Sequence, residues 1–98
     1  MKLVNINDIK EPKKLLLVND LLKVYYLSFE KDGGLPHHSL NGVGVLQVIE
    51  GHITIEFDTG EIFDLKKGDL LEFKSSVLHT VNAKEKSKVL LTNASYSN

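Results

Sequence analysis

A chain of 98 residues, 42% of them apolar and 26% charged, has the composition of one small globular domain, and no apolar run approaches the roughly 20 residues needed to cross a bilayer. The absence of cysteine removes disulfides, thiolate nucleophiles and thiolate metal sites. Net charge is −1 and all 12 basic residues are lysine, so no guanidinium fork exists to grip phosphate or guanine, and neither nucleic-acid nor membrane binding is expected. The amino-terminal Met1–Asp8 carries no basic region followed by a long apolar core, from which a cytoplasmic location is expected.

In chain order, Lys14–Val18 is an apolar run closed by Asn19-Asp20, and Leu22–Glu30 follows with strand-forming residues, so the two predict a hairpin. The segment Lys31–Pro36 predicts a loop leading straight into His37, because paired glycines permit positive φ and proline cannot donate to a ladder. Val43–Ile49 and Ile53–Phe57 flank Glu50-Gly51-His52, and Asp58-Thr59-Gly60 precedes Glu61–Leu65; both gaps have the length of hairpin turns. Leu70–Phe73, Leu78–Val81 and Lys88–Thr92 complete the set, with a polar tail over Ala94–Asn98 and no helix longer than a turn. Eight or nine short strands at such spacing predict an all-β fold, a small antiparallel barrel with an interior able to hold side chains and one small ligand. Residues 1–98 are expected to form a single domain, with the barrel core over about residues 14–93.

Two histidines stand at fixed distances from glycine turns in this all-strand pattern: His37 before Gly51, and His79 after the Lys66-Lys67-Gly68-Asp69 turn. In this the chain resembles a single-domain cupin of the RmlC-like jelly-roll group over roughly Gly33 to Asn82. That family carries a first motif of glycine, two histidines, glutamate and glycine, and a second of glycine, proline, glycine, histidine and asparagine. Counting back from Gly51, the glutamate falls on Gly44, the second histidine on Ser39 and the first on His37, with Gly33 and Gly34 near the leading glycine. In the second motif Gly68 and His79 match, while Lys74 replaces the proline, Ser76 the glycine, and Asn82 comes one residue early.

The resemblance implies a jelly-roll barrel whose metal site would use three histidines and one glutamate, of which two ligands survive here. Strand parity puts His37 and Ser39 on the inner face and His38 outside; a bulge near Pro36 would bring His38 inward instead. His37, His38 and His79 would then offer three nitrogens to a divalent transition metal such as zinc, iron, nickel, copper or manganese. His79 stands between Leu78 and Val81, where a barrel interior would otherwise take an apolar residue. One of Tyr25 and Tyr26 should face inward, and Tyr25 is taken as a ligand contact. Gln47 is a further candidate contact, although its odd separation from Gly44 favours the outer face. His52 and Glu72 read as surface residues.

With no carboxylate in the first motif, His37 or His79 would have to serve as acid or base, the unperturbed imidazole pKa lying near 6.5. Two functions therefore compete. In the first, a small-molecule-binding barrel uses His37, His79, Tyr25 and Gln47 as contacts. In the second, a metal-dependent enzyme of dioxygenase or isomerase type uses His37, His38 and His79. A third, structural reading makes the domain a dimer with no pocket chemistry. Under all three, the Leu15–Val18 run, apolar on both faces, predicts a homodimer.

Overall fold

Alternation with a period of two decides which face of each strand is covered, because successive side chains leave a strand on opposite sides. The computed structural model describes residues 1–95, with the backbone but not the side chains of His37 and His38, so Tyr96, Ser97 and Asn98 of the expected tail lie outside the described residues. A 3-10 turn at Ile6–Asp8 is entered through Asn5, whose side-chain oxygen accepts from the Asn7 N–H at 2.9 Å. No helix among the described residues is long and apolar enough to cross a membrane. The strands are β1 (Lys13–Val18), β2 (Leu22–Phe29), β3 (Gly34–His38), β4 (Val43–Glu50), β5 (His52–Phe57), β6 (Ile62–Lys66), β7 (Leu70–Lys74), β8 (His79–Ala83) and β9 (Ser87–Ala94). In β9 the buried residues are Ser87, Val89, Leu91 and Asn93, with half-buried residues between them.

Two antiparallel sheets result, one ordered β1-β2-β9-β4-β7 and the other β3-β8-β5-β6. Their inner faces meet in a core where Ile53, Ile55 and Val89 are fully buried and Val48, Leu46 and Leu27 nearly so. The expected all-β jelly-roll barrel is what the chain forms.

The turns divide into two kinds that the sequence did not separate. Asp58-Thr59-Gly60 joins two strands that pair with each other, β5 and β6, and is a hairpin. The Gly51 turn, expected to be another, instead carries the chain from the five-stranded sheet to the four-stranded one, since β4 pairs with β7 and β9 and β5 with β6 and β8. Gly51 has φ 95°, and a Cβ there would meet the Lys86 carbonyl oxygen at 2.5 Å and the Ser87 hydroxyl. Only glycine meets both demands. The fully buried Ser87 Oγ completes this corner: it accepts from the His52 N–H at 3.0 Å and donates to the Glu85 carbonyl at 2.7 Å.

The approach to His37 also differs from expectation. The segment read as a loop into His37 is partly strand, for Gly34–His38 pairs with β8. Proline survives there because β3 is the sheet's edge and the ladder is interrupted at that point: Leu35 opposes Val81 and His38 opposes His79, so Pro36 and His37 together face Thr80.

Replacing Ile55, fully buried between the sheets, with alanine is expected to lower unfolding free energy by about 2–5 kcal/mol. Urea denaturation checks this: the midpoint should fall with the m-value unchanged.

Candidate functional site

Strand parity and two loop contacts build the mouth of the barrel. In β2, Tyr25 and Leu27 oppose Leu91 and Val89 of β9 and face inward with them. Tyr25 is half-buried, whereas Tyr26 opposes Leu90 on the other face of the same sheet, where it is nonetheless buried. The loop between β3 and β4 is tied down at neighbouring residues. The Leu40 N–H donates to the Ser75 carbonyl at 2.7 Å, and the Asn41 carbonyl accepts from Asn93 Nδ2 at 2.9 Å. Leu40 is thereby held at the rim.

These elements enclose a slot of about 290 Å³ between β1, β2, β3 and β9. Among the described residues its walls are Leu27, Leu35, Leu40 and Leu91, with Pro36, Tyr25 and Lys13 at its edges. Behind it, sharing Leu27, Leu35 and Leu91, lies an interior cavity of about 10 Å³ that His79 lines. A volume of that size holds about one water molecule. His79 therefore sits behind the slot, not in its wall.

The surroundings of His79 are well defined. The side chain is 2% exposed, and its Nδ1–H donates to the Val77 carbonyl at 2.7 Å, which makes Nε2 the basic nitrogen of the neutral ring. Phe73 meets the imidazole edge-on with centroids 5.1 Å apart, and Phe57 lies 5.5 Å away. Phe57 also packs against Phe73 at 5.5 Å and Phe63 at 6.0 Å. Aromatic contacts of this kind contribute about 0.5–1.5 kcal/mol each beyond simple burial.

Gly44 explains why the aromatic cluster fits. It lies on the inner face of β4 with Leu46 and Val48. A Cβ at Gly44 would stand 2.6 Å from Phe73 Cζ and 2.7 Å from Ser75 Oγ. The place where the family's carboxylate ligand would project is filled by the Phe73 ring and the Ser75 hydroxyl. Ser39, at the second histidine's position, is exposed beyond the end of β3 and lines none of these cavities. The three-histidine, one-glutamate metal centre does not fit these residues.

Of the residues singled out in the sequence, Tyr25 lines the mouth slot and His79 the cavity behind it. Gln47 does neither: it is exposed, opposite Leu70 and Leu90, on the face of β4 away from the core. As a ligand contact in the barrel it is corrected, because its neighbours Leu46 and Val48 take the inward positions. The side chains of His37 and His38 lie outside the described residues; at the backbone, the bulge sets His38 opposite His79. His52 and Glu72 are on the surface side as expected, His52 pairing through Nε2 with the Asp64 carboxylate. Sequence reasoning missed Lys13, Leu35, Leu40, Leu91 and Phe73. Leu91 was within reach of parity counting; Leu40 and Phe73 depend on a loop and a register that no local pattern reports.

No family model matches the chain, and no curated protein does. Solved structures match throughout its length. An RmlC-like cupin protein from Desulfovibrio desulfuricans is 25% identical over 96% of both chains, with a TM-score of 0.84. A cupin superfamily protein from Desulfitobacterium hafniense is 20% identical over 86% of this chain and 76% of that one, TM-score 0.80. An RmlC-like cupin family protein with a double-stranded β-helix fold from Methanocaldococcus jannaschii is 14% identical over 94% and 86%, TM-score 0.81.

Substituting Gly44 with alanine is expected to destabilise the protein by about 1–3 kcal/mol through overpacking against Phe73. Coupling in a double-mutant cycle with Phe73→Leu, read by chemical denaturation, checks it: the alanine should cost measurably less once the ring is gone.

Proposed function

This chain has the RmlC-like cupin fold, and we propose that it uses the barrel to bind a small molecule whose apolar body occupies the mouth slot. The observation that carries this reading is the slot itself, walled by leucines from both sheets and the β3–β4 loop. Its volume of about 290 Å³ lies just below the range of ordinary ligand sites, which span about 300–1,000 Å³. The ligand is thus of metabolite size. Tyr25 supplies a hydroxyl at the edge, and His37, next in the chain to the slot residue Pro36, supplies a second polar contact. His79 stays one layer deeper, in the small cavity that shares Leu27, Leu35 and Leu91 with the slot.

A metal-dependent enzyme using His37, His38 and His79 is the competing reading. What supports it is the register, in which His38 pairs with His79, together with the Nδ1–H bond of His79 to a backbone carbonyl, an arrangement common in metal-binding imidazoles. For assembly, we propose a homodimer formed along β1, supported by its place at the edge of the five-stranded sheet and by exposed Leu15, Val18 and Leu21 nearby.

The neutral dye N-phenyl-1-naphthylamine is expected to show saturable, one-to-one fluorescence enhancement with the native chain. Leu40→Trp, which fills the slot from its rim, should abolish that enhancement without loss of stability. A native chain that takes up no dye, yet carries near-stoichiometric metal that His79→Ala loses, would reject the binding reading in favour of the enzyme. In light scattering at micromolar concentration the dimer mass is expected, and Leu15→Lys should return the monomer.

A further inference from the structure

The mouth slot does not end at its leucines. It shares Tyr25 and Leu40 with an adjoining cleft of about 220 Å³, lined also by Lys23, Asn41, Asn93 and Ser95. Slot and cleft adjoin at Tyr25 and Leu40, an apolar compartment beside a polar one. Lysines stand at both, Lys13 on the slot and Lys23 on the cleft, and no acidic residue lines either among the described residues. Neither lysine has a carboxylate within ion-pair distance among those residues, whereas Lys14 and Lys88 are paired with Glu11 and Glu50.

Asn93 supplies an independent observation. The residue is 6% exposed and spends its Nδ2 on the Asn41 carbonyl, while its Oδ1 is buried with no hydrogen-bond partner among the described residues. Such an orphaned acceptor is unusual in a folded interior and calls for a donor. Lys23 and Asn93 are direct cross-strand partners of β2 and β9, with side chains on one face of the sheet and Cβ atoms about 5 Å apart. A cation and an acceptor side by side on one face of the sheet suit a ligand that carries a carboxylate beside a hydrogen-bond donor.

From this convergence we infer that the ligand is an apolar carboxylic acid bearing a hydroxyl or amino group beside the carboxylate. Its hydrocarbon body lies against Leu27, Leu35 and Leu91, the carboxylate against Lys23, and the neighbouring donor on Asn93 Oδ1. Lys13 adds positive potential at the far edge. The inference rests on the reading of the mouth slot as a small-molecule site, and it names the class of molecule.

The test uses 2-hydroxyhexanoate, hexanoate and 1,2-hexanediol as competitors for bound N-phenyl-1-naphthylamine on the full chain. The hydroxy acid should displace the dye at a concentration about tenfold below that of the diol, as expected of a charge-assisted hydrogen bond. Lys23→Gln, at an exposed position, should weaken both acids about tenfold and leave the diol and the dye unchanged. Asn93→Leu should reduce the hydroxy acid to the level of hexanoate while hexanoate itself is unaffected; should that buried variant not fold, the native chain decides, where hydroxy acid and hexanoate competing equally overturns the neighbouring donor. Equal competition by acids and diol, or acids indifferent to Lys23→Gln, with the dye still bound, overturns the inference and leaves the slot a binding site for some other class. A chain that binds neither dye nor any competitor overturns both.

Discussion

The packing of the Phe73 ring into the space left by Gly44 governs what the interior of this barrel can do. A side chain on the inner face of β4 at that point would collide with the ring, and its absence lets Phe73 reach Phe57 and the His79 imidazole. The interior becomes a filled floor, close-packed as protein cores are. Room for about one water remains beside His79, so anything larger must be held nearer the mouth.

That displacement changes the kind of chemistry available. A carboxylate at residue 44 would have brought a hard oxygen ligand to the barrel interior; phenylalanine brings a low-dielectric wall, against which the imidazole is held by its Nδ1–H bond to the Val77 carbonyl. The polar groups that face open space lie elsewhere, on the strand ends: Tyr25 and Lys23 of β2, Asn93 of β9, and Lys13 of the edge strand β1. The proposed binding is organised at the rim, where leucines would give area and the lysines direction. The β3–β4 loop belongs to the same design, because its bonds to Ser75 and Asn93 fix the rim that Leu40 forms.

Corners matter as much as strands to this arrangement. The left-handed Gly51 and the buried Ser87 hydroxyl turn the chain from one sheet to the other and tie the starts of β5 and β9 together. With β9 fixed between β2 and β4, its inward residues Val89, Leu91 and Asn93 fall in sequence from core to slot to cleft.

The all-strand character, the strand positions to within a few residues and the inward face of β8 were legible in the sequence, because they follow from period-two alternation and turn chemistry, both local. So was the surface position of His52. The loop at Lys31–Pro36 misled where local rules met a tertiary exception: proline and paired glycine break a central strand, but an edge strand with a bulge accommodates them, and edge status is a property of the sheet. Gly51 misled for a similar reason, since a two-strand turn and a sheet-crossing corner have the same length. Gln47 was set by parity alone, and parity placed it outside. What only the tertiary structure decided is which non-local groups meet: Phe73 in the space of Gly44, Leu40 on the Ser75 carbonyl, and Lys23 beside Asn93. Those contacts join residues tens of positions apart through strand register and loop closure, and no residue's own chemistry announces the partner that the fold will bring to it.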